Sequence, residues 1–179
     1  MGNDFNSLIF SLEQSISLEK DDKLDFNIFK IDGRKDTRLG VLSEEYQKAC
    51  ENLAFEILKK FDMNNKSILI MGTEEFMYPS IFCGKLILEK CNCKSVKTHS
   101  TTRSPIIASE CKNYPIKNRT LLKSFYDNER KTYIYNLDKY DKIIIITDSL
   151  NLNMNGVKDL VLALRAYKND DINIVRWVE

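Results

Sequence analysis

Lys142-Ile143-Ile144-Ile145-Ile146-Thr147-Asp148-Ser149 sets four consecutive isoleucines ahead of a polar run. A strand with one wet face alternates apolar and polar side chains, so an unbroken β-branched run predicts a strand covered on both faces, central in a parallel sheet. Its C-terminal end then carries Thr147, Asp148 and Ser149, at the edge where open α/β sheets bind ligands. Downstream, an Asn-rich loop (Asn151, Asn153, Asn155) with Gly156 leads to Val157, Leu160, Val161 and Leu164 at helical spacing. A further strand is predicted at 172–176.

Upstream, 67–71 is a second short apolar run and ends in Gly72-Thr73-Glu74-Glu75. Pro79 fits the first turn of a helix reaching about Lys90. That helix carries Ile81, Phe82, Cys83, Leu86, Ile87 and Leu88 nearly all round and is expected to be buried, with Gly84 allowing close approach to a strand. A strand at 94–98 follows. An earlier helix is marked by Ser43 as N-cap, Glu44 and Glu45 in the first turn, and Lys59 and Lys60 in the last. Its apolar face is Tyr46, Ala49, Cys50, Leu53, Ile57 and Leu58. Residues 132–137 read as a half-exposed strand. Together these elements predict an α/β domain over 38–179, with a mostly parallel sheet of four or five strands flanked by helices. Residues 1–37 are expected to be an arm or linker, or to supply an edge strand at 26–31 before the turn Asp32-Gly33.

The parallel order brings the loop at 72–78 to the same edge as Thr98-His99-Ser100-Thr101-Thr102-Arg103-Ser104-Pro105, with Ser100 to Ser104 on the loop where the strand ends. Ser100, Thr101, Thr102 and Ser104 surround Arg103 with four hydroxyls, and its planar fork matches two oxygens of a phosphate. The same residues also favour polar surface turns, so composition leaves both readings open. Between 103 and 131 there are seven basic and three acidic residues. Tyr114, Phe125 and Tyr126 are interleaved there, which suits either base stacking or anchoring of the loop to the core, and anchoring is the expectation.

The 179 residues include 43% hydrophobic and 30% charged, with a formal net charge of +1. No bulk attraction to nucleic acid or an anionic membrane follows from that balance. No membrane span or signal peptide is evident, so a cytoplasmic protein is expected. Five cysteines and one histidine give neither a disulfide framework nor a zinc site; Cys91-Asn92-Cys93 lacks a second pair, so no metal ligands are assigned. His99 is expected to be a strand-end residue.

Five segments in order, 71–79, 100–105, Tyr114-Pro115-Ile116, 133–137 and Ile146-Thr147-Asp148, resemble the TRSP domain family over about 38–175. The family is named for the motif seen here as Thr102-Arg103-Ser104-Pro105. The resemblance implies a Rossmann-like or phosphoribosyltransferase-like sheet and a role beside a phosphoribosyltransferase in tellurite-resistance and stress-response gene clusters. That enzyme is expected here as a separate polypeptide, because the stretch before Arg38 is too short for one. Strand 143–146 is also similar to the type I phosphoribosyltransferase pattern, but Thr147 replaces its first acid and the following loop lacks the Thr-Gly turn, so autonomous transferase activity is not expected. The leading expectation is a phosphorylated small molecule, nucleotide or phosphoribosyl metabolite. Ser100, Thr101, Thr102, Arg103 and Ser104 would hold its phosphate, while Glu74, Glu75 and Asp148 accept ribose hydroxyls or hold Mg²⁺. Gly72, Thr73, Tyr78, Tyr135 and Asn136 would line the pocket. For Glu74 and Glu75 a plainer role is to offset a helix dipole. RNA binding through 103–131, or a non-catalytic partner subunit docked by the N-terminal arm, are the alternatives.

Overall fold

Ile143, Ile144, Ile145 and Ile146 lie at 0% exposure in the middle of the sheet, and successive side chains point to opposite faces. The computed structural model describes residues 26–179; the apolar cluster Leu8-Ile9-Phe10 and the charged run 19–23 lie outside the described residues. The elements are β1 (Asn27–Asp32), α1 (Ser43–Lys60), β2 (Ser67–Gly72), α2 (Tyr78–Lys90), β3 (Ser95–Ser100), β4 (Arg119–Lys123), β5 (Lys131–Tyr135), β6 (Lys142–Thr147), α3 (Met154–Ala166) and β7 (Ile172–Val178). Five strands form a parallel sheet in the order β1-β7-β6-β2-β3. β4 and β5 make a separate antiparallel pair.

Two cores follow from the pleat. Ile143 and Ile145 of β6, with Leu69 and Met71 of β2, meet Val157, Leu160, Val161 and Leu164 of α3 and Leu122, Phe125 and Ile134 of the hairpin region. Ile144 and Ile146, with Ile68 and Ile70, meet Ala49, Cys50, Leu53 and Ile57 of α1 and Cys83 and Ile87 of α2. Each fully buried isoleucine contributes about 1.5–3 kcal/mol of transfer free energy, which is why the four-isoleucine run settles at the sheet centre and not at an edge. Burial pushes the Cys50 thiol up to about 12, and raises that of Cys83 as well, so both behave as small apolar groups in this layer.

The expected α/β class and mostly parallel sheet are what forms, and the differences are local. The fifth strand is β1 at the sheet edge, whereas β5 leaves the sheet to pair with β4, which has no clear period in sequence. β3 runs through Ser100, so that residue ends the strand and does not open the loop. Ser43 is the first helical residue of α1; Leu42 stands at the cap without a side-chain hydrogen bond. Contrary to the expected full burial, α2 exposes Ile81 and Leu88, at 51% and 57%. It lies over the β2–β3 side of the sheet with α1 beside it, and among the described residues its outer face is left to solvent. Gly84 does approach a strand closely: a Cβ there would sit 2.4 Å from Thr98 Cγ2. Among the described residues no helix is long and apolar enough to cross a membrane.

Candidate functional site

Because β2, β3 and β6 are parallel, the loops after them emerge at one edge. The chain leaves β2 for β3 by way of α2 on one face, and leaves β6 for β7 by way of α3 on the other. The two crossovers diverge between β2 and β6, the switch point where open α/β sheets bind ligands. Thr73 and Thr147 stand side by side there, Thr73 Oγ1 donating to Thr147 Oγ1 over 2.9 Å. The Tyr126 hydroxyl lies 2.7 Å from Thr73 Oγ1 and donates to Asp148 Oδ1 over 2.8 Å. Burial, the largest cause, raises the Tyr126 phenol far above its ordinary value, so it stays protonated and able to donate. The other Asp148 oxygen is 3.6 Å from Arg34 Nη1, with side chains only 9% and 6% exposed. Arg34 is fixed by its backbone N–H to the Val178 carbonyl at 2.7 Å and by Nη2 to Glu179 Oε1 at 2.5 Å. Tyr46 stacks on Tyr78 with ring centroids 5.7 Å apart, and burial above all, then Cys50 and Asp148, pushes its phenol up to about 12.

Glu74 has φ 51°, a left-handed conformation uncommon for a non-glycine residue. The conformation is held from three sides. Its N–H donates to Thr101 Oγ1 at 3.0 Å, Ser124 Oγ donates to Oε1, and Arg130 Nη1 lies 3.3 Å from Oε2. Its side chain is 1% exposed, and a buried carboxylate persists only with such partners. Glu74 thereby ties the ends of β2 and β3 to the segment joining β4 to β5. Gly72 is required just before it, because a Cβ would stand 2.5 Å from the Phe76 carbonyl oxygen as the turn folds back. Glu75 is exposed and pairs with Arg103.

In the segment 100–105, most polar groups already have partners within the chain. Ser100 Oγ donates to Met77 Sδ at 3.1 Å. The N–H of Thr101 donates to the Gly72 carbonyl at 3.2 Å. Thr102 exchanges two backbone bonds with Tyr133, of 2.9 and 2.7 Å, and its Oγ1 accepts from the Ser104 N–H at 3.2 Å. The Ser104 carbonyl accepts from the Tyr135 hydroxyl, which in turn accepts from the Ile106 N–H at 2.7 Å. Arg103 projects, at 53% side-chain exposure, and Ser104 beside it is exposed as well.

Residues 35–164 match the family model described as "TRSP domain C terminus to PRTase_2". The chain belongs to the TRSP domain family. No curated protein and no solved structure matches it. In this TRSP domain both β1 and β7 fall outside the matched stretch and pair with each other, and Arg34, which holds Asp148, immediately precedes it.

The TRSP domain gathers Gly72, Thr73, Glu74, Glu75, Tyr78 and Ser100 to Ser104 around the ends of β2 and β3, and Asp148 at the end of β6. It does not bring the three acids together. Glu74 faces Arg130, Glu75 faces Arg103, and Asp148 faces Arg34 and Tyr126. Among the described residues no group of three His, Cys, Asp or Glu is placed to hold a metal ion. Asn136, at φ 46°, turns from the edge to clamp a loop, accepting from the Lys117 N–H at 2.8 Å and donating to the Pro115 carbonyl at 2.7 Å. His99 Nε2 donates to the Tyr135 carbonyl at 2.7 Å and Nδ1 accepts from the Ser100 N–H, a strand-end bracket. Phe125, 2% exposed, anchors its segment in the core. The residues that the sequence did not single out are Arg34, Ser124 and Arg130. Arg34 looked like part of an arm and Arg130 like one charge in a basic loop; no local pattern marks a residue whose partner is distant in sequence.

Proposed function

We propose that this TRSP domain binds a phosphorylated ribose-bearing metabolite, nucleotide-like or phosphoribosyl, at the C-terminal edge of its sheet. It acts beside a phosphoribosyltransferase in the cytoplasm, in the tellurite-resistance and stress-response setting that the family resemblance implies. The observation that carries the reading is the β2/β6 switch point itself. The hydrogen-bonding set Thr73, Thr147 and Asp148 lies there, and an exposed guanidinium, Arg103, paired with Glu75, follows the neighbouring strand β3 at the same sheet edge. A phosphate displaces Glu75 from Arg103, exchanging an exposed ion pair worth under about 1 kcal/mol for a charge-assisted bond worth about 1.5–3 kcal/mol. Ser104 and Ser100 flank that position. Any Mg²⁺ contribution enters with the ligand, through its phosphate oxygens and Asp148.

Two of the basic residues of 103–131 favour this reading over an RNA surface, because their side chains are spent locally. Arg130 pairs with Glu74 and Asp127, and Lys117 Nζ donates to the Cys111 carbonyl.

A thermal-shift panel of ribose 5-phosphate, nucleoside monophosphates, phosphoribosyl pyrophosphate and inorganic phosphate, with and without Mg²⁺, tests the proposal. A true ligand at a hundredfold excess over Kd adds about 2.7 kcal/mol of stability. Arg103→Ala should fold normally and bind about ten- to a hundredfold more weakly, with Arg103→Lys recovering part. Absence of any shift across the panel, or an Arg103→Ala variant that binds unchanged, would rule the site out.

A further inference from the structure

We infer that Thr73, Thr147 and Asp148 form a subsite for a ligand hydroxyl of the kind a ribose carries, and that the Tyr126 phenol fills this subsite as a latch. The inference rests on the phosphorylated-metabolite reading above and extends it.

Four oxygens converge on the Tyr126 hydroxyl: Thr73 Oγ1 at 2.7 Å, Asp148 Oδ1 at 2.8 Å, and Thr147 Oγ1 and the Thr73 carbonyl at 3.4 Å each. A hydroxyl carries one donor and two acceptor sites: Asp148 Oδ1 takes the proton, and Thr147 Oγ1, itself accepting from Thr73, donates one in return. An aliphatic sugar hydroxyl has the same donor and acceptor inventory. The shell is built from the sheet and not from the latch: Thr73 and Thr147 are neighbours at the ends of β2 and β6, and Asp148 is steadied on its other oxygen by the buried Arg34. Such a shell persists when the phenol leaves.

The latch is also separable from its own segment. Ser124 is bonded to Glu74 and Phe125 is sunk in the core, so the backbone beside Tyr126 has fixed anchors. A Cβ at Gly156 would sit 2.2 Å from the Ser124 carbonyl oxygen, which shows how closely α3 braces this segment. Tyr126 itself is only partly buried, its ring lying against the edge of the core, so a side-chain rotation that gives up this contact clears the subsite while the anchors on either side stay in place. Glu74 is not an equivalent position: its two carboxylate oxygens are held by Ser124 and Arg130. Ribose recognition therefore falls to Asp148 and the two threonines.

The experiment compares wild type, Tyr126→Phe and Asp148→Asn by isothermal titration with ribose 5-phosphate and with inorganic phosphate, alongside melting temperatures. Tyr126→Phe removes the competing hydroxyl and keeps the ring. It is expected to bind ribose 5-phosphate about tenfold more tightly, the equivalent of one hydrogen bond to a charged group, with phosphate affinity unchanged and a lower melting temperature. Asp148→Asn is expected to lose the preference for ribose 5-phosphate over phosphate. Binding by Tyr126→Phe where wild type shows none would equally support the latch. If both ligands bind wild type but Tyr126→Phe melts lower and binds ribose 5-phosphate no better, Tyr126 is a structural anchor and the latch alone falls. If neither ligand binds any of the three proteins, the phosphorylated-metabolite reading itself fails and the latch falls with it.

Discussion

Replacing Arg130 with alanine leaves the Glu74 carboxylate, 1% exposed, with Ser124 as its one side-chain donor. Removing one partner of a fully buried ion pair costs about 3–5 kcal/mol, whereas exposed pairs contribute under about 1 kcal/mol. Arg130 is 38% exposed and its Nη1 stands 3.3 Å from Oε2, so water already screens half of this pair. We therefore expect Arg130→Ala to cost about 1–2 kcal/mol, between the two limits. Glu74→Gln removes the charge and keeps an oxygen for the Ser124 hydroxyl. In that background Arg130→Ala should cost roughly 0.5 kcal/mol or less, the usual range for a surface substitution. Urea unfolding of wild type, both single variants and the double variant closes the cycle, with a coupling energy near 1 kcal/mol expected. A coupling indistinguishable from zero would mean that Arg130 does not hold Glu74, and that the segment between β4 and β5 is fastened by other contacts.

Gly156 lies in the first turn of α3, where alanine would ordinarily stabilise a helix by up to about 1 kcal/mol. Here the added Cβ would meet the Ser124 carbonyl oxygen at 2.2 Å, backbone that has no side-chain freedom to yield, so Gly156→Ala should instead destabilise by about 1–3 kcal/mol in thermal denaturation. A raised melting temperature would show that the hairpin segment is not braced by α3. Asp141 accepts from the Ser67 N–H at 2.8 Å and its hydroxyl at 2.9 Å, and the backbone bond foremost lowers its pKa. A carboxyl depressed in the folded state stabilises above its unfolded value of about 3.9 and loses that contribution as pH falls through the lower folded value. Wild type should therefore exceed Asp141→Asn in urea midpoint above about pH 4 and converge with it in more acid solution; a gap that stays constant across that range would contradict the assignment.

The sequence by itself determined the parallel sheet and the end at which the loops at 72–78 and 100–105 emerge. Four isoleucines in succession can satisfy both faces of a strand only when both are covered, and the amphipathic spacing of Leu53 and Ile57 or of Leu160 and Leu164 supplies the covering layers. These signals are local and repetitive, so they survive without knowledge of the fold. The loops at 72–78 and 100–105 were placed at one edge by the same logic, since strands that run parallel end together. Only the tertiary structure decided the charge partners. Arg34 reaches Asp148 because β1 joins the sheet beside β7, Arg130 reaches Glu74 because β5 leaves the sheet for β4, and neither event leaves a periodic mark. The hydroxyl run shows the same limit from the other side: Thr101 looks like a free ligand group in sequence, yet the buried Glu74 N–H must find a partner and finds it in that side chain, while the Thr102 hydroxyl is taken by the N–H of Ser104 in its own turn.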